Sequence, residues 1–272
     1  MKRWLYSVLV CLVVCVGCQW QMRPADPSDD GITVSIERFD RMEMLYLSTG
    51  DLAALQQMKT NYPTETRTLI EDVLRLGRVD EADINRRFLL FFQDSTLQSL
   101  MADVARQYQD VDDLDGQLTE AFNRLARSLP DFEMPRFYTQ VGSLDQSIVV
   151  GHGVLGISLD KYLGTDHPIY LKYGYSKEQR AMMTRDYIVP DCLSFYLLSR
   201  YPLSPVDVES PELRRMHMGR IQWVVNKALG HTFFNSEAVS EAQTYMQVHP
   251  ATDWHTFLSS PLPSTDTLTR QP

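Results

Sequence analysis

Arg136-Phe137-Tyr138-Thr139-Gln140-Val141-Gly142-Ser143, followed by Ser147-Ile148-Val149-Val150-Gly151-His152-Gly153-Val154-Leu155-Gly156-Ile157-Ser158-Leu159, decides the fold class. Both are short runs rich in β-branched and aromatic residues, punctuated by glycine where the chain must turn. They predict a small β-hairpin or sheet. The sequence on either side carries helical periodicity instead, so the chain reads as α+β, predominantly helical, with this β inset in its middle.

Working outward, Leu97, Leu100, Met101, Val104 and Tyr108 share one helical face, with Asp94 or Ser95 placed to cap its start. Leu114, Leu118, Ala121, Phe122, Leu125 and Leu129 form a second stripe, ended by Pro130. A third runs from Leu213 through Met216, His217, Ile221, Val224 and Val225 to Ala228, between Ser210-Pro211 and Gly230. Ser176 to Tyr201 reads as one long helical stretch, broken or kinked at Pro190. Pro202, Pro205 and Pro211 then mark a surface loop. No internal repeat is visible, and a single domain over residues 32–260 is the economical reading.

The beginning of the chain has a different character. Lys2 and Arg3 precede an uncharged apolar run from Trp4 to Val16, too short for a spanning helix of about 20 apolar residues but suited to a secretory signal. The run stops at Val16-Gly17-Cys18, which resembles a bacterial lipobox, although Cys15 stands where leucine is usual. Residues 1–17 are therefore expected to be a lipoprotein signal peptide and Cys18 the lipidated residue, anchored by several acyl chains such as palmitate. One chain alone binds a membrane only marginally. Residues 18–31, with Pro24, Asp26, Pro27, Ser28, Asp29 and Asp30, read as a polar tether, and residues 261–272 as a flexible tail. Gln19, in place of an aspartate, favours the outer membrane.

Of the four cysteines only Cys192 would remain in the mature domain, which rules out an internal disulfide there. Its apolar setting, Cys192-Leu193-Ser194-Phe195-Tyr196, suggests a buried and inert thiol. The formal charge is -9, becoming -11 once Lys2 and Arg3 are removed. An acidic chain without a basic run does not suggest a nucleic acid partner or polybasic contact with anionic lipid. Hydrophobic content of 44% and charged content of 22% are those of an ordinary globular protein.

Catalytic patterns fail on inspection. Gly151-His152-Gly153-Val154-Leu155-Gly156 fits a dinucleotide fingerprint, but Ile157-Ser158-Leu159 continues as strand where a helix should open. Glycines allowing a bulged or closely packed strand explain it better. His152, His167, His217, His231, His249 and His255 show no metal-binding spacing, and no metal or other cofactor is expected. Asp110, Asp112, Asp113 and Asp115 fail the calcium-loop register, and helix capping accounts for them better. Gly156-Ile157-Ser158-Leu159-Asp160 lacks the final glycine of a nucleophile elbow.

One segment is distinctive: Ile157-Ser158-Leu159-Asp160-Lys161-Tyr162-Leu163-Gly164, followed by Asp166 and Tyr170. With Ile36-Glu37-Arg38-Phe39-Asp40, Phe91-Phe92-Gln93-Asp94, Ala121-Phe122, Leu129-Pro130 and Ile188-Val189-Pro190-Asp191, it resembles the gliding motility-associated lipoprotein GldB family. The likeness runs from Ile36 to Tyr201. It implies a lipid-anchored envelope protein, a non-enzymatic accessory of gliding or associated secretion machinery, with envelope proteins as partners. The alternative is an envelope hydrolase or a degenerate zinc-peptidase-like binding protein, since the order of elements resembles such peptidases in outline. The later helix, however, offers Asp186 and Asp191 without a histidine. Asp160 and Tyr162 leave a strand for a loop and have two readings. Either they are presented to a partner, or Asp160 holds the turn through backbone hydrogen bonds while Tyr162 and Leu163 pack inward and Gly164 supplies a positive φ. The second is favoured.

Overall fold

The three strands form where the glycine-punctuated runs lie: β1 (Arg136–Gln140), β2 (Ile148–Gly151) and β3 (Val154–Ser158) in a computed structural model describing residues 31–151 and 153–262. The signal peptide, Cys18, all but the last residue of the tether, His152 and residues 263–272 lie outside the described residues. The sheet order is β1-β3-β2, with β3 parallel to β1 and antiparallel to β2. Parallel neighbours cannot be joined by a tight turn, and here β2 supplies the return run. The central strand is buried along its whole length, which is why Val154-Leu155-Gly156-Ile157 does not alternate with polar residues.

This topology explains the glycine pattern that resembled a dinucleotide fingerprint. Gly151 ends β2, Gly153 takes φ 71° in the turn, and Gly156 sits opposite Tyr138 in the register. A Cβ on Gly156 would lie 2.4 Å from the Tyr138 ring, so the position admits no side chain unless that ring moves.

Twelve α-helices surround the sheet among the described residues. The first six precede it: α1 (Phe39–Thr49), α2 (Leu52–Asn61), α3 (Pro63–Arg67, continued by a π-helical turn at Thr68–Val73), α4 (Ile84–Phe91), α5 (Ser95–Gln107) and α6 (Asp112–Ser128). Six follow: α7 (Pro168–Lys172), α8 (Lys177–Ala181), α9 (Ile188–Arg200), α10 (Pro211–Leu229), α11 (Glu237–Val248) and α12 (Trp254–Ser259). The chain is α+β and predominantly helical, with its small mixed sheet in the middle.

Local chemistry sets the helix ends. The Asp94 carboxylate accepts from the Thr96 and Leu97 amides at the start of α5. Ser210 caps α10, Pro211 occupies its first position, and Gly230 closes it with a left-handed φ of 81°. The aspartates of α6 require a correction. Val111 is the N-cap and no side chain caps that helix. Asp112, Asp113 and Asp115 lie in its first turn, where negative charge is favoured by the helix dipole.

The long stretch from Ser176 to Tyr201 also differs from expectation. It is two α-helices separated at Met182–Thr184, with a 3-10 turn at Arg185–Tyr187 leading into α9. Pro190 does not break it. It is the third residue of α9, where its missing N–H would have found no intrahelical acceptor.

Two packing features tie these layers together. Phe122 of α6 meets Phe137 of β1 at 4.9 Å and Tyr196 of α9 at 5.4 Å between ring centroids, both edge to face. The extended run Ile32–Ile36 lies along α6, and alternate amides donate to side chains one helical turn apart. Ile32 bonds Asn123, Val34 bonds Thr119, and Ile36 bonds Asp115. Two extended residues advance about 6.6 Å. Four helical residues advance about 6 Å, so the ladders match.

A groove beneath the signature segment

The segment from Ser158 to Gly164 leaves β3 through a 3-10 turn at Leu159–Lys161. Asp160 is fully buried. Its two oxygens accept from the Gly142 amide at 2.8 Å and the Leu144 amide at 2.6 Å. Between those amides Ser143 and Leu144 take φ of 54° and 65°, a conformation side chains rarely adopt. The carboxylate thus holds a strained turn in the connection from β1 to β2, not merely the turn it sits in. Burial raises its affinity for a proton above that of an ordinary aspartate, an effect opposed by the amides that bond it.

The neighbouring residues are similarly engaged. The Tyr170 hydroxyl donates to the Asp160 carbonyl at 2.7 Å and accepts from the Leu163 amide at 2.8 Å. The Tyr108 hydroxyl donates to the Tyr162 carbonyl at 2.6 Å. Tyr162 and Leu163 are buried, and Gly164 takes φ 109° while its amide reaches the Met183 carbonyl. Of the two readings of Asp160, the inward one describes its placement. Tyr162 is buried too, but its side chain forms part of a groove wall.

The groove has a volume of about 290 Å³ and lies between the signature segment, the α8 end and α9. Ser147, Lys161, Tyr162, Tyr175, Met182, Asp191 and Phe195 line it. The Tyr162 hydroxyl donates to the Asp191 carboxylate at 2.7 Å. Burial pushes the Asp191 pKa up to about 6, a rise opposed by that hydrogen bond and by the Lys161 charge. Lys161 donates to the Leu144 carbonyl and the Tyr175 hydroxyl, and its ammonium lies 4.7 Å from the Tyr175 ring centroid. The groove therefore combines an apolar rim with one carboxylate, one ammonium and two phenols.

Ile36–Asp40 meets the opposite side of the sheet. Glu37 exchanges backbone hydrogen bonds with Phe137 and Thr139, covering the outer edge of β1. Arg38 grips Asp40 through two donors at 2.8 and 2.7 Å, and Thr139 donates to the same carboxylate. Glu43 accepts from the Val141 amide, while its other oxygen has no partner and burial raises its pKa well above the ordinary range. A protonated Glu43 reduces the cost of that burial.

Cys192 is fully buried and its thiol pKa is raised by burial, so little of it is thiolate. His217 is buried on the inner face of α10, and desolvation lowers its pKa. His167 contacts Asp103 and His255 contacts Tyr201, far from any shared centre. Among the described residues, no group of three histidine, cysteine or carboxylate side chains is arranged to hold a metal. Lys161, Tyr175, Asp191 and Phe195 were not marked as a joint site by the sequence. Spacing carried no signal, because Tyr162 and Asp191 meet across 29 positions.

Residues 21–238 match the family model described as gliding motility protein GldB. No curated protein and no solved structure matches the chain. The match covers most of the sequence, and the chain belongs to the GldB family.

Proposed function

We propose that this GldB-family chain is a lipid-anchored, non-enzymatic accessory component of gliding motility or associated secretion machinery, held at the outer membrane through a lipid on Cys18. The family match over residues 21–238 carries the reading. The lipobox-like Val16-Gly17-Cys18 supports the anchor. No described helix is long and apolar enough to cross a membrane. The engagement of the buried Asp160 and Tyr170 in internal hydrogen bonds supports a structural rather than a catalytic role for these two side chains. Envelope proteins are its expected partners.

Deletion of the gene is expected to abolish colony spreading or protein secretion, with rescue by the wild-type chain. Rescue by Cys18→Ala is expected to fail, together with loss of labelling by a fatty-acid analogue. Wild-type spreading and secretion after deletion, without a redundant paralogue, refute the machinery role. Unchanged labelling of Cys18→Ala refutes the anchor.

A further inference from the structure

The helices α11 and α12 lie almost wholly beyond residue 238, where the family match ends, and pack against α10. A pocket of about 440 Å³ lies between the three, a size suited to a small molecule. The α10 and α11 backbones approach closely at Gly219 and Ala238. Beside that crossing Ala238 and Ala242, one helical turn apart on α11, are too small to fill the space. Met216 and Phe257 add further apolar wall, and the Tyr245 ring stacks on Phe257 with centroids 5.5 Å apart.

One arginine lines this apolar space. Arg220 of α10 is 9% exposed, and its guanidinium lies 5.2 Å from the Phe257 ring centroid. Its Nη1 donates to the Phe257 carbonyl at 3.1 Å and the Ser260 carbonyl at 2.7 Å, which uses that nitrogen's two hydrogens and fastens the end of α12. The other edge is free. Nε and Nη2 have no hydrogen-bond partner among the described residues, yet neither is sealed from solvent, so this edge opens on the pocket. Arg38, Arg78, Arg185 and Arg215 each clasp a carboxylate of this chain with that same pair of nitrogens. For Arg220 burial disfavours the charge, and no carboxylate among the described residues offsets it. Glu241 also lines the pocket, but both its oxygens accept from Arg215.

We propose that this pocket binds a small apolar carboxylic acid of the medium-chain fatty acid class, its carboxylate clasped by Nε and Nη2 of Arg220 and its chain laid along Met216, Ala238 and Ala242. The free edge offers two parallel N–H bonds, the geometry a carboxylate accepts best. Partial burial strengthens such a pair relative to one in water. The walls are helical, so their backbone groups are bonded within α10, α11 and α12, and the carbonyls at the end of α12 are taken by Nη1. That selects an acid without further polar groups over the carboxyl end of a peptide. Such binding depends neither on the machinery role nor on the lipid at Cys18.

The full chain in a nonionic detergent is titrated calorimetrically at neutral pH with octanoate, octan-1-ol and octylammonium. Octanoate is expected to bind at least about tenfold more tightly than the other two, the worth of one charge-assisted pair. Arg220→Lys keeps the charge but loses the fork, and is expected to weaken octanoate by at least about tenfold. Because Arg220 also fastens α12, Ala242→Leu supplies a second variant. It fills the pocket and retains Arg220, and is expected to abolish octanoate binding while keeping the thermal midpoint of the wild type. Nuclear Overhauser contacts are expected from the octanoate methylenes to the Phe257 and Tyr245 rings. Equal binding of octanoate and octanol, full affinity in Arg220→Lys or Ala242→Leu, or no binding at millimolar octanoate would each overturn the proposal.

Discussion

Replacing Asp160 by alanine tests whether the signature carboxylate is a structural clamp. The change removes the acceptor of two buried amides, at Gly142 and Leu144. Each orphaned buried donor costs about 1–3 kcal/mol, so the expected loss is about 2–6 kcal/mol. Relaxation of Ser143 and Leu144 out of their positive φ returns part of this, which places the outcome in the lower half of the range. Against a typical total stability of about 5–15 kcal/mol, that is a large fraction. Asp160→Asn retains one acceptor but turns its amide group toward a second donor, so it is expected to fall between wild type and alanine. Urea denaturation monitored by circular dichroism measures all three. Asp166→Ala serves as the control, because that carboxylate is 98% exposed, and its midpoint is expected to stay in place. An Asp160→Ala stability within about 0.5 kcal/mol of wild type, the range of ordinary surface changes, would refute the clamp.

The raised pKa of Asp191, about 6, gives a pH prediction with a definite sign. The folded state holds the proton more tightly than the unfolded state, so this stabilisation is present below about pH 4 and is lost as pH rises through about 6. A shift of about two units corresponds to about 3 kcal/mol. Asp191→Asn should therefore gain about that much relative to wild type between pH 4 and pH 7, read from urea midpoints, and a constant difference would contradict it. Two glycines on helices should respond with opposite signs. A Cβ at Gly219 of α10 would lie 2.5 Å from the Ala238 carbonyl oxygen, and Gly219→Ala is expected to destabilise the chain by about 1–3 kcal/mol. Gly116 of α6 faces open space, and Gly116→Ala is expected to stabilise by about 0.5–1 kcal/mol. Equal thermal shifts for the two variants would disprove this account of the α10 and α11 crossing.

The legible parts of the fold are those in which one stretch carries its own instruction. Asp94, Ser210 and Gly230 announce helix ends because a cap bonds amides or carbonyls a few positions away. Glycine-punctuated β-branched runs announce strands, but not that β3 inserts between β1 and β2. Pro190 does not interrupt the helix because α9 starts at Ile188, after the 3-10 turn, which puts the proline in the first helical turn where it is tolerated. The turn at Asp160 is legible in the sequence, but its amide partners lie 18 and 16 positions back.

The sequence by itself determined the α+β class, the stripes that become core faces and the segments that mark the family, since periodicity and capping act over a few residues. Tertiary structure alone decided that Ile32–Ile36 would be stitched to α6, that Asp160 would be consumed inside the fold, and that Tyr162 and Asp191 would meet at a groove. Those contacts join residues from 16 to 91 positions apart. Their partners are selected by shape and by the need to satisfy buried polar groups, neither of which leaves a periodic trace in the chain.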